Sequence, residues 1–185
     1  MVVATRFDQL GEVLDAHGVD RIAGVLFDLG ISSMHVDRPE RGFSYRHDGP
    51  LDMRMGPDAR RTAADVVNTY ERRELVRVLR VYGEERFAER IAGAIVMARP
   101  LSSTTQLAEV VRGAIPAAAR RTGGHPATRT FQALRIEVNG ELEAFERALP
   151  TALDRLVGSG VAVTLAYHSL EDSIAKRTFA DAARG

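Results

Sequence analysis

Cysteine is absent from the 185-residue chain, which excludes a disulfide framework, thiolate metal sites, iron–sulfur clusters and a cysteine nucleophile. That usage fits a reducing cytoplasm, the expected location. Long hydrophobic runs are missing too. No stretch approaches the roughly 18–20 apolar residues of a membrane span, and the start does not read as a signal peptide. Nor is there an excess of charge of one sign. Lys and Arg together number 25, as do Asp and Glu, so only a local patch, not bulk charge, would bind nucleic acid. There is no internal repeat, no low-complexity tract, and no G-x-G-x-x-G or G-K-S/T to cradle a phosphate. What remains is ordinary globular composition, 45% hydrophobic and 27% charged, enough for one domain or one domain with a sizeable insertion.

Two short apolar runs read as strands: Gly24 to Phe27, running into Asp28, and Val161 to Tyr167, running into His168 and Ser169. Neither alternates, so both are expected to be parallel strands covered on two faces. Val2 to Ala4 is a candidate third strand. Between about Thr62 and Val157 the chain reads as helix and loop. Thr62 with Asp65, and Ser103 with Gln106, have the shape of capping boxes. Phe87, Ile91 and Ile95 share one helical face, as do Leu107, Val110, Val111 and Ala114 before Pro116. From Phe131 to Leu156, apolar residues recur at steps of 3, 4, 4, 3, 4, 4 and 3, a helical stripe that Gly140 or Pro150 is expected to split or kink. Ser32 to Pro57 lacks periodicity and reads as a long functional loop. Two or three strands fall short of the usual open parallel sheet of about four to six. The expectation is therefore a fragment of a larger fold.

In such sheets ligands bind at the carboxyl ends of strands, where Asp28 and His168 stand. Asp28 also reads plainly as a loop-capping carboxylate, but Gly30, Ser32 and Ser33 after it let a ligand approach the backbone. Ser169 with Asp172 reads as a helix cap, which also offers amides to an oxygen or phosphate. Adjacent His168 and Ser169 do not resemble a nucleophile elbow. A metal site from Asp28, His125 and His168 has no ligand pair at helical spacing to support it. From Val110 through Ile136 there is no acidic residue, while Arg112, Arg120, Arg121, Arg129 and Arg135 accumulate around a Gly123 to Pro126 turn. Such a run is often just a solvated face. Its near-exclusive use of arginine suits phosphate recognition.

The blocks GVLFDLGISS (24–33), ERGFSYRHDGPLDMRM (40–55), YGEERFAERIA (82–92), HPATRTFQALRIEVNGELEA (125–144) and HSLED (168–172) occur in that order. Together they closely resemble the bacterial small-subunit rRNA cytosine-N4-methyltransferase family, which uses S-adenosylmethionine. The resemblance spans about Phe7 to Phe179. It implies an α/β fold, a Rossmann-like methyltransferase domain (residues 1–50 and 126–185, incomplete here) interrupted by a helical insertion over 51–125. It also implies 16S rRNA of the small ribosomal subunit as partner, with no membrane. Family members contact the cofactor through a Phe, the Asp of the DLG motif and a Gln shortly after. Phe7 and Asp28 match the first two, and His35 stands at the third. The glycine-rich loop ending Gly-Gly-His and the ribose carboxylate that open the family pattern have no counterpart here, so the chain is expected to bind the cofactor weakly.

Methylating the exocyclic amine of cytosine requires a conjugated, poorly nucleophilic nitrogen to be held against the cofactor's methyl group, with acceptors drawing density onto it. Asp28, the Leu29 to Ser33 carbonyls, His168 and Ser169 are candidate contacts, and no general base is assigned. Ser32, Ser33, Arg120, Arg121, Arg129 and Arg135 join His168 and Ser169 as RNA candidates. The alternative is a catalytically inactive RNA-binding protein of the same fold. Cofactor affinity discriminates the two.

Overall fold

The computed structural model describes residues 2–121 and 124–184. Helix dominates. In chain order the elements are α1 (Leu10–Ala16), β1 (Ile22–Asp28), α2 (Ser33–Val36), α3 (Ala63–Thr69), α4 (Arg72–Val81) and α5 (Ala88–Ala98). Then come α6 (Thr104–Ala114), α7 (Thr128–Asn139), α8 (Glu141–Asp154), β2 (Leu156–Leu165) and α9 (Ser169–Ala182). The fold is mixed α/β with a small parallel sheet, and it divides into two compact units: Met1–Gly30 with Gly140–Gly185, and Ile31–Asn139.

In the first unit β1 and β2 pair in parallel, Asp28 opposite Leu165 and Phe27 opposite Thr164. One face packs on α8, where Phe27 is buried edge-on to Phe145 with ring centroids 5.5 Å apart. The other face carries Leu26, Val161, Val163 and Leu165, and Leu26 and Val161 are each 61% exposed. The strands are therefore covered on one face, not two. The missing alternation in the sequence reports an apolar surface rather than burial. Residues 2–4 form no strand, and Val2 is 96% exposed.

Gly140 ends α7 by adopting a left-handed φ of +59°, while Pro150 stays inside α8. The apolar stripe also stops earlier than its spacing implies. Leu156 opens β2 opposite Ile22, and the register shifts before Gly24 pairs with Val161. Gly158, Ser159 and Gly160 are poor helix formers, so pairing with β1 wins there.

The second unit is a helical bundle. Val66, Leu75 and Leu79 are buried in its core, and so are Ile91, Ile95, Leu107, Val111 and Leu134 of the stripes expected from the spacing. Thr62 caps α3 reciprocally with Asp65. At α6, Ser103 Oγ accepts from the Gln106 N–H at 3.4 Å, while the Gln106 side chain takes the N–H of Ser102 at 3.1 Å. The stretch 32–57 is a packed strap rather than an unstructured loop. Phe43, Leu51 and Met53 anchor it in the bundle, and Asn139 clamps it: its Oδ1 accepts from Met55 N–H and its Nδ2 donates to the Met53 carbonyl, both at 2.8 Å. These anchors fall at neither helical nor strand spacing, so the strap shows no period. For the same reason the helical unit is wider than 51–125. The strap before it and α7 after it, with Phe131, Leu134 and Val138, share its core.

Candidate functional site

In the first unit, β1 delivers Asp28 to the end of the sheet with its carboxylate exposed. Tyr167, just past β2, donates its hydroxyl to Asp28 Oδ1 at 3.1 Å. The hydrogen bond and charge of Asp28 hold the Tyr167 phenol above its ordinary value, so it remains a donor. Two residues on, Gly30 has φ +85°, and a Cβ there would lie 3.3 Å from the Tyr167 ring. Only glycine takes this conformation without strain, and it leaves the backbone open beside the carboxylate. Phe7, in a short 3₁₀ turn, sets its ring edge-on to Phe27 at 6.0 Å and remains 41% exposed.

The cap of α9 is His168, not Ser169. His168 is extended, with φ −147° and ψ 163°, and its side chain accepts from Glu171 N–H. Ser169 is already helical and exposed. Asp172, expected as the reciprocal partner, pairs instead with Lys176 at 2.6 Å. The buried carboxylate is Glu171, 3% exposed. Its Oε2 accepts from Tyr167 N–H at 2.8 Å and its Oε1 lies 3.1 Å from His168 Nε2. That last approach has ion-pair distance but not hydrogen-bond alignment. The pairing fixes the turn that presents Tyr167 and His168. Serine is the stronger capping residue by preference, which is why sequence reasoning chose the wrong member of the motif. Tyr167 and Glu171 were missed, although HSLED contains the second.

The remaining candidates lie in the second unit. Ser32 caps the short α2, and its N–H donates to His35 Nδ1 at 3.3 Å. Ser33 is exposed on the same turn. His35 is tilted against Phe43 at 4.9 Å. Burial, then the charges of Arg41 and Arg135, hold it below the ordinary imidazole value. Arg120 is exposed, its Nε donating to the Ile115 carbonyl at 2.9 Å. Arg129 is exposed on α7 and donates to the Glu84 carbonyl at 2.9 Å. Arg135, on the same helix, is half-buried. The arginine run therefore does not present one stripe. The Arg121 side chain and Gly123 of the expected turn lie outside the described residues. His125 stacks on Tyr45 at 4.1 Å and 14°, and belongs to the second unit whereas Asp28 and His168 belong to the first. Among the described residues no group of three His, Cys, Asp or Glu is placed to hold a metal ion. No helix among them is long and apolar enough to cross a membrane.

The chain is 62% identical over 185 residues to ribosomal RNA small subunit methyltransferase H of Acidothermus cellulolyticus, covering 98% of this chain and 56% of that protein. The same-named protein of Salinispora tropica is 61% identical over 181 residues, covering 96% and 49%. That of Thermobifida fusca is 60% identical over 178 residues, covering 95% and 54%. The chain spans about half the length of the curated relatives it matches. A family description, the MraW methylase family, matches residues 1–185, and the chain belongs to that family.

Proposed function

We propose that this chain supplies part of an S-adenosylmethionine-dependent methyltransferase acting in the cytoplasm on the N4 amine of a decoding-region cytosine in 16S rRNA. The observation that carries the reading is the strand end: an exposed carboxylate at the tip of a parallel strand, held by Tyr167 and flanked by a left-handed glycine. The names of the relatives support RNA as the substrate. The first unit is read as part of a Rossmann-like methyltransferase domain, and the second unit, Ile31–Asn139, as its helical insertion.

The residues at the strand end suit a nucleoside-bearing cofactor. Phe7 offers an exposed ring, Asp28 an acceptor for hydroxyl or amine, and Gly30 room for close approach. His35, in the second unit, is a cofactor candidate by resemblance alone. When bound, S-adenosylmethionine supplies an electrophilic methyl group. The protein's own work is orientation. Tyr167 occupies one oxygen of Asp28, and the other accepts an N–H of the amine, drawing density onto the nitrogen and fixing its approach. Ser32, Ser33, His168, Ser169 and the exposed arginines are assigned to RNA.

The test is a chimera in which this chain replaces the matching segment of the Acidothermus cellulolyticus protein. With S-adenosylmethionine and small-subunit RNA, nucleoside mass spectrometry should detect N4-methylcytidine. Asp28→Asn should lower the rate about a hundredfold. A folded, RNA-binding chimera that makes no N4-methylcytidine overturns the reading in favour of an RNA-binding protein without catalysis.

A further inference from the structure

The second unit contains a cavity of about 490 Å³, lined by Glu85, Phe87, His125 and Arg129 among others. We propose that it is a nucleobase subsite, taking an unpaired base with an exocyclic amine, cytosine or adenine, from the bound RNA. RNA as the source of that base rests on the function proposed above. The chemistry of the cavity does not.

Glu85 is the deciding residue. It is only 5% exposed. Its Oε1 accepts from Phe87 N–H at 2.8 Å, and no described residue donates to its Oε2. That oxygen is not a buried atom without a partner, and Glu85 lines the cavity, so its remaining acceptor capacity is open to a ligand N–H. The amino groups of cytosine and adenine supply one, whereas uracil turns a carbonyl oxygen to the same place. The selectivity follows from charge: an acceptor attracts the amino edge and repels the carbonyl edge.

The other walls suit a base rather than an amine alone. One face of His125 is covered by Tyr45 at 4.1 Å, and the residue is exposed. Burial, then the charge of Arg112, holds its imidazole below the ordinary value. Ala127 N–H donates to its Nδ1 at 3.2 Å, so Nε2 carries the proton and donates. A neutral, braced ring is a stacking platform for an unpaired base. At the rim, Arg129 is tied to the Glu84 carbonyl at 2.9 Å, and the Arg86 guanidinium lies 4.5 Å from the Phe87 ring centroid. Both are positioned cations for the phosphate attached to the base. The motifs YGEERF and HPATR, which the strand end leaves without a role, thus meet in one cavity.

The experiment titrates the 185-residue chain with CMP, AMP and UMP, following Phe87, His125 and Arg129 by NMR. A companion titration uses single-stranded C-rich and U-rich RNA. CMP and AMP should bind about tenfold more tightly than UMP, the scale of one hydrogen bond to a charged acceptor. Glu85→Gln, which keeps the size and the acceptor for Phe87, should bring CMP down to UMP. Arg129→Ala should weaken all three alike. Equal or tighter UMP binding, shifts away from the cavity, or discrimination that survives Glu85→Gln overturns the subsite. If mononucleotides discriminate as expected but neither RNA binds, the subsite stands and the RNA reading falls. If both RNAs bind but mononucleotides do not discriminate, the reverse holds.

Discussion

His35 and His125 are held below the ordinary imidazole value by the same pair of forces: burial first, then nearby arginine charge. Both are neutral in the folded chain near neutral pH. On acidification the unfolded chain takes up protons first, at about pH 6.5, while the folded chain resists. Stability is therefore fully present above that value and lost as pH falls toward the lowered folded values. Urea denaturation at about pH 7.5 and about pH 5 should show this loss. His125→Gln should shrink the difference between the two conditions, even if its loss of stacking on Tyr45 lowers both. A chain that gains stability on acidification contradicts the assignment. Single residues were unevenly legible in the sequence. Asp28 was found because a strand visibly ends on it. Glu85 and Glu171 were not, because a glutamate near a helix start reads as a solvated or capping residue. Only packing shows that each is buried.

Helices were easier to read than strands because their periodicity comes from the core they share. The stripes through Ile91 and Ile95, and through Leu107 and Val111, are buried as their spacing requires. The stripe across Gly140 continues because α7 and α8 each turn apolar residues inward. The break is visible only in the backbone, where Gly140 has φ +59°. Gly113, inside α6, has open space where a Cβ would go and no positive φ. The two glycines should respond oppositely to the same change. Gly140→Ala should cost about 1–2 kcal/mol, the penalty for an L-residue in the left-handed region. Gly113→Ala should add about 0.5–1 kcal/mol. Chemical denaturation of both variants checks the pair, and equal signs would contradict the assigned backbone conformations. For the strands, the continuous apolar runs identified the segments and their direction, but were misread as burial on two faces. Sequence hydrophobicity does not say which surface a second layer covers.

At the scale of the whole molecule, the limits read from the sequence for the helical segment, 51–125, fall inside the compact unit Ile31–Asn139. The strap anchored by Phe43, Leu51 and Met53, and the helix carrying Phe131 and Leu134, belong with the bundle through packing between residues distant in sequence. Such packing leaves no periodic trace. The proposed function divides labour within the chain: on that proposal the strand end around Asp28 serves the reaction, and the exposed arginines Arg120 and Arg129 hold RNA by its phosphates. The most direct test is a salt titration of RNA binding by the wild-type chain, by the Arg120→Ala, Arg129→Ala double variant, and by Asp28→Asn. Removing one arginine–phosphate pair should lower the log–log salt slope by roughly 0.7–0.9, so the arginine variant should bind every sequence more weakly and depend less on salt. Asp28→Asn should leave affinity and slope where they are. If Asp28→Asn costs as much RNA affinity as the arginine pair, the division of labour is contradicted.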